Sequence, residues 1–255
     1  MGKADFHVHS TYSRDGTTNV RAVLKRASSI GLDVIAITDH DDIRGSLTAC
    51  ELAGEYGIEA IPGVEVSSSD GHILALFVRK PIAANRSLVE TLLHIGEQGG
   101  IAVAPHPVNP LPKSLSMEAV VGAVAHEEAR HVLKGIEVYT MGYQIFNRLA
   151  QELSRWLPLA KTAGSDSHVY WTIGMGQTGF EGATIADLRR ALENMATTPI
   201  PAPNDFSIMP ILGWMGHSLL RRFGIVAQNR TPDGPITVER LKLDPATRPL
   251  PKRRR

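Results

Sequence analysis

The sequence predicts an α/β chain built from βα units, and three observations predict it. Between residues 4 and 196 short apolar β-like runs alternate with helical stretches, glycines close the helices, and histidines and carboxylates follow the strands at their carboxyl ends. At 255 residues, 43% hydrophobic and 21% charged, the chain has the apolar content for a large core. The formal net charge of +1 provides no global field for nucleic acid or a membrane, so any attraction for anions is local.

Ala4–Val8 reads as the first strand, and Val20, Val23, Leu24, Ala27 and Ile30 recur at helical spacing until Gly31 stops them. Strand Asp33–Thr38 precedes a helix from about Ser46 to Tyr56, ended by Gly57. A strand Ile58–Val66 turns through Ser68–Gly71 into Ile73–Val78, a hairpin within an otherwise parallel order. A helix near Ser87–Gln98 ends at Gly99 and Gly100. Strand Ile101–Ala104, helix Ser116–Leu133, strand Gly135–Tyr139, a helix around Phe146–Trp156 and strand Leu159–Thr162 come next. Gly174–Gly182 reads as loop and edge strand, and Ile185–Met195 as the last helix. Residues 1–196 form one expected domain. Pro199, Pro201, Pro203 and Pro210 mark residues 197–255 as a linker and extension. It carries a short amphipathic segment (Ile211, Leu212, Trp214, Met215, Leu219, Leu220, Phe223) and a basic tail.

The single cysteine, Cys50, excludes an intramolecular disulfide, and the opening Met-Gly-Lys-Ala-Asp-Phe-His lacks the apolar stretch of a secretory signal. No apolar run approaches the length that spans a bilayer, so a soluble cytoplasmic protein is expected.

His7 and His9 alternate along an extended strand, so both imidazoles can reach one ion. Asp39 and His40 end the second strand, Glu65 the third, His106 follows Ala104, and Asp166 and His168 alternate after the last. His94, His126, His131 and His217 are scattered, as unselected histidines would be.

These residues fall in stretches that resemble the PHP superfamily, named for polymerase and histidinol phosphatase. They are Asp5-Phe6-His7-Val8-His9-Ser10, Asp15-Gly16-Thr17, Ile37-Thr38-Asp39-His40-Asp41, Pro62-Gly63-Val64-Glu65, Gly71-His72, Pro105-His106-Pro107 and Gly164-Ser165-Asp166-Ser167-His168. The chain is most similar to the short stand-alone phosphoesterases of that family, which share the Gly-His step. The resemblance implies a distorted seven-stranded (β/α) barrel of the TIM-like type and a trinuclear centre of two to three divalent ions, manganese, iron or zinc. His7, His9, Glu65 and Asp166 would hold the first ion; Glu65 would bridge to a second held by His72 and His106; Asp15, His40 and His168 would hold a third. Mixed imidazole and carboxylate donors suit such metals better than calcium or magnesium.

The implied activity is phosphoester hydrolysis. Paired ions about 3.5–4 Å apart neutralise phosphate oxygens and lower the pKa of a shared water toward about 7, and the resulting metal-bound hydroxide attacks phosphorus in line. The sequence marks no side chain as leaving-group acid. Asp39 and Asp41 stand to orient ligand imidazoles or, equally, to cap the next helix; Arg14 and Arg44 stand to meet a second phosphate. The expected substrate is a nucleotide or short oligonucleotide, of nucleoside 3′,5′-bisphosphate or 5′-3′ exonuclease type. A small phosphorylated molecule such as histidinol phosphate, or a non-catalytic metal-binding module, is the alternative. Amidohydrolases also open on His-x-His, but their bridge is a modified lysine, and here Glu65 takes that place. Pro107–Gly135 is too short for the inserted domain of many relatives, so a compact, open site is expected. No stable nucleic-acid complex, membrane association or obligate protein partner is expected.

Overall fold

The computed structural model describes residues 1–109, 113–141 and 144–202, together with Leu212, Met215, Gly216, Leu219 and Leu220. Most of the amphipathic segment and the whole basic tail lie outside the described residues. Among these residues no helix is long and apolar enough to cross a membrane.

The order is β1 (Gly2–Val8), α1 (Val20–Ser29), β2 (Val34–Ile37), α2 (Arg44–Leu52), β3 (Glu59–Ala60), β4 (Gly63–Ser67), β5 (His72–Leu76) and α3 (Leu88–Glu97). It continues with β6 (Ile101–Ala104), α4 (Met117–Ala125), β7 (Leu133–Thr140), α5 (Gln144–Ser154), β8 (Ala160–Gly164), β9 (Gly176–Phe180), α6 (Ile185–Glu193) and β10 (Thr198–Pro201). Helix starts are fixed by side chains that accept otherwise unsatisfied N–H groups. Asn19, Ser87, Ser116 and Thr184 do so, and Ser87–Glu90 and Thr184–Asp187 are reciprocal pairs.

The strands form two mixed five-stranded sheets, β10-β9-β1-β2-β3 and β4-β5-β6-β7-β8. One apolar cluster draws Phe6, Val34 and Phe180 of the first together with Leu74, Leu76 and Val103 of the second, so the sheets face each other across an apolar interior. Burying each such large side chain contributes about 1.5–3 kcal/mol. Where the strands end, the sheets meet through isolated parallel bridges, Val8 with Ser167 and His40 with Glu65. The ladders thus form two mixed sheets joined at one mouth, and among the described residues no closed seven-stranded ladder runs through them.

Four local expectations change. The single strand expected over Ile58–Val66 divides into β3, parallel to β2, and β4, antiparallel to β5. Pro62 lies at the break and has no N–H for a ladder. The helix expected to run to Leu133 stops after Ala125, where His126 turns extended and its ring accepts the N–H of Ala129 at 3.4 Å. Gly174–Gly182 yields an interior strand, β9, paired with β1 on one side and β10 on the other. Gly176 permits this, since a Cβ there would stand 2.2 Å from the Gly164 carbonyl oxygen. Residues 198–201, read as linker, are β10, and its prolines fit because it is an edge strand.

Candidate metal centre

All nine predicted ligands converge at the mouth where the sheets meet. Their donor atoms fall into four overlapping groups: His9, Asp15, His40 and His168; His7, His9 and Asp166; His7, Glu65 and His106; and His40, Glu65 and His72. These groups overlap more than the three-ion partition expects: His9 also lies with Asp15, and His40 with Glu65 and His72. Glu65 is fully buried at the middle. Its Oε1 lies 2.9 Å from His72 Nδ1 and 3.3 Å from His106 Nε2, while Oε2 lies 3.0 Å from His40 Nδ1, 3.3 Å from His9 Nε2 and 3.6 Å from His7 Nε2. Each oxygen therefore faces a different set of imidazoles. Asp166 Oδ1 is 3.3 Å from Nε2 of both His7 and His9, and Asp15 Oδ2 is 3.4 Å from His40 Nε2 and 3.6 Å from His168 Nε2.

Local structure holds these side chains in place. Ser13 Oγ donates to Asp15 Oδ1 at 2.6 Å, and Ser114 Oγ lies 3.1 Å from His106 Nδ1. His106 (φ +28°) and Asp166 (φ +48°) sit in the left-handed region, a conformation that costs about 1–3 kcal/mol and is sustained only by its surroundings.

The buried charges of the cluster are strongly coupled. Burial raises the Glu65 carboxyl, but His40, His7 and His72 overcome this and hold it well below the ordinary range. Burial likewise opposes charge on His40, yet Glu65 and Asp15 raise it to about 10. His9 is pushed down by burial and by the neighbouring His168 and His40. Its ring stacks on His168 at 4.1 Å. The buried atoms His7 Nε2, both ring nitrogens of His9, His40 Nδ1, Glu65 Oε2 and His72 Nε2 make no hydrogen bond of good geometry, even where His40 Nδ1 and Glu65 Oε2 face each other at 3.0 Å. Leaving one such group unsatisfied costs about 1–3 kcal/mol, so this many at one point makes sense as lone pairs directed at divalent ions.

The residues expected around the ligands behave differently. Asp39 accepts the N–H groups of Ser10 (2.6 Å) and Ser13 (3.0 Å) and the Ser10 hydroxyl (2.7 Å), and Asp41 accepts the Ser67 N–H at 2.7 Å. These bonds fasten the loops that carry the cluster, in place of the imidazole-orienting or helix-capping roles expected; α2 starts at Arg44, and Ile43 before it makes no side-chain cap. Arg44 is engaged by Asp42, with Nε at 2.9 Å, and its guanidinium lies over the Tyr12 ring. Arg14 is exposed.

One residue escaped the sequence reading. Glu137, buried in β7, lies with Oε1 3.1 Å from His7 Nδ1 and accepts the His106 N–H through Oε2 at 3.0 Å. Its signal was a carboxylate between Ile136 and Val138 in an apolar strand, since a buried glutamate is rare unless paired.

A family model described as the PHP domain matches residues 5–157, and one described as PHP-associated matches 144–197. An uncharacterised protein of Methanocaldococcus jannaschii is 40% identical over 123 residues, which are 44% of this chain and 72% of that protein. A 5′-3′ exoribonuclease of Haemophilus influenzae is 29% identical over 198 residues, 76% of this chain and 64% of the enzyme. Among solved structures, a two-domain protein of Bacteroides vulgatus containing a predicted PHP-like metal-dependent phosphoesterase superposes with a TM-score of 0.66 at 21% identity, covering 78% of this chain and 64% of that one. The chain thus spans slightly less than two thirds of both the exoribonuclease and the solved structure.

Proposed function

The chain belongs to the PHP family of metal-dependent phosphoesterases, and from that premise we propose that it hydrolyses phosphate esters of nucleotides or short oligonucleotides at the nine-residue cluster. The observation that carries this reading is the set of buried ring nitrogens and the Glu65 oxygen that converge without hydrogen-bond partners. In this reading His7, His9, Asp15, His40, Glu65, His72, His106, Asp166 and His168 hold two to three ions of manganese, iron or zinc. When bound, such ions neutralise phosphate oxygens and lower the pKa of a coordinated water.

The protein's own contribution is placement. Glu65 points one oxygen toward His72 and His106 and the other toward His7, His9 and His40, and would help to hold ions on both sides. Asp15, Asp166 and Glu65 offer carboxylates that stay ionised at neutral pH, so ions enter without having to displace protons from them. The bridges Val8–Ser167 and His40–Glu65 lock the mouth in one shape and would close the sheets toward the barrel of the family. Arg14, exposed beside Asp15, is the cation we place nearest a second phosphate. The lean toward nucleotides rests on the Gly71-His72 step and on the similarity to an exoribonuclease.

The test is metal analysis of the purified chain with a panel of nucleoside bisphosphates, 5′-phosphorylated oligonucleotides and small phosphomonoesters, each assayed with and without manganese. Release of phosphate or nucleotide that needs the metal and disappears in the double variant His7→Ala/Asp166→Ala supports the proposal. Activity that survives the double variant contradicts it.

A further inference from the structure

Glu137 lies outside the nine-residue cluster yet touches two of its members. Its carboxylate is wholly buried. Oε1 and Oε2 lie 3.1 and 3.2 Å from His7 Nδ1; Oε2 also accepts the His106 N–H at 3.0 Å and the Thr140 hydroxyl at 3.1 Å. His7 belongs to the first sheet and His106 follows a strand of the second, so one carboxylate links ligands from both. At His7 the contact is on the nitrogen facing away from the cluster. A hydrogen bond donated by Nδ1 fixes the plane of the ring and leaves Nε2, the buried atom without a partner, directed at Asp166 and Glu65. At His106 the contact secures a backbone with φ +28° that few residues adopt. The neighbouring strand leaves room for this: a Cβ on Gly164 would stand 2.1 Å from Glu137 Oε1 and 2.8 Å from the His7 Cβ.

We propose that Glu137 is the positioning residue of the centre, setting the ring of His7 and the backbone of His106 so that both address the ions, and that Gly164 is glycine to leave space for it. This rests on the reading of the cluster as a metal centre. Loss of such an outer contact to a ligand typically costs about 10–100-fold in metal affinity.

The experiment titrates the metal-free full chain with cobalt, following the visible absorption band that reports ligand geometry, for the wild type, Glu137→Ala, Glu137→Gln and Gly164→Ala. Glu137→Ala is expected to weaken cobalt binding by about 10–100-fold and to shift the band. Glu137→Gln is expected to recover part of the affinity, because its amide oxygen still accepts from His7 Nδ1 while its NH2 group cannot accept from the His106 N–H. Gly164→Ala removes no ligand and no carboxylate, yet is expected to shift the band in the same direction. Wild-type affinity and spectrum in Glu137→Ala overturn the proposal; if that variant does not fold, the same result in both Glu137→Gln and Gly164→Ala overturns it. A wild-type chain that takes up no cobalt overturns the metal-centre reading itself, and this proposal with it, which is a different result from a wild type that binds and a variant that binds equally.

Discussion

His40 Nδ1 stands 3.0 Å from Glu65 Oε2, and the backbones of the same two residues form a parallel bridge between the two sheets. The central carboxylate of the cluster is therefore also part of the seam of the fold. Glu65→Ala should act on both. Removing one partner of a buried ionic cluster costs about 3–5 kcal/mol, so the metal-free variant should melt well below the wild type. Manganese-dependent hydrolysis should fall by at least about 100-fold. Thermal melts and initial rates check the two effects separately.

The charges of the metal-free cluster set a pH dependence. His40 is raised from 6.5 to about 10. Its contribution to stability is fully present below pH 6.5 and is lost as pH climbs toward about 10. Asp5, pushed up by burial to about 6, works in the same direction, since the folded state holds its proton longer than the unfolded chain does. Glu65 has the opposite sign: its carboxyl is held below 4.5, so its contribution is present above that value and is lost as pH falls. The metal-free protein should melt highest near the lower end of about pH 4.5–6.5, because Asp5 loses its contribution between 3.8 and about 6, and progressively lower toward pH 9. Imidazoles must be neutral to ligate, so added manganese should raise the melting temperature more at about pH 8.5 than at about pH 5.5. Paired melts across that range check the sign.

Asp39 carries the loop between His9 and Asp15 on its hydrogen bonds from Ser10 and Ser13, and Gly45 leaves the space it occupies. A Cβ on Gly45 would stand 2.2 Å from Asp39 Oδ2. Asp39→Ala strands buried donors and should destabilise by about 2–4 kcal/mol, and Gly45→Ala by about 1–3 kcal/mol. Both should weaken manganese binding although neither removes a ligand. Denaturant melts with equilibrium dialysis of the metal measure both quantities.

The last strand makes a prediction about truncation. β10 pairs along β9 from Thr198–Gly179 to Pro201–Gly176, and Thr197 Oγ1 donates to the Lys161 carbonyl at 2.7 Å. We propose the domain boundary after residue 202 rather than at 196. A chain ending at residue 202 should fold and bind metal as the full chain does. One ending at residue 196 should aggregate or melt lower, because β9 becomes an open edge. Expression of both, followed by melting, decides between the two boundaries.

The sequence reveals most of the site and less of the fold, for physical reasons that particular residues show. Most of the clustered residues were legible because histidines at strand ends have no structural reason to recur there, as His7, His40 and His106 do; Asp15 and His72 were added by the family resemblance. The βα rhythm was legible because helical and strand periodicities differ. Pairing was not: Pro62 marks a break but does not say that the strands on either side join different sheets. β10 was read as linker because proline argues against a strand unless the strand lies at an edge, and edge position is a property of the assembled sheet. The partners of Asp39 and Asp41 were not legible because Ser10, Ser13 and Ser67 lie 26 to 29 residues away in the chain. Glu137 was missed because a single carboxylate in an apolar strand gains meaning only when His7 and His106 are placed beside it.

The most direct test of the central claim is anomalous X-ray diffraction from crystals of the chain grown with manganese. Peaks are expected among His7, Glu65 and Asp166 and toward His40 and His72, with ligand distances of about 2.0–2.3 Å. A map with no peak in contact with Glu65 at saturating metal, or with manganese bound only elsewhere on the molecule, would contradict that claim.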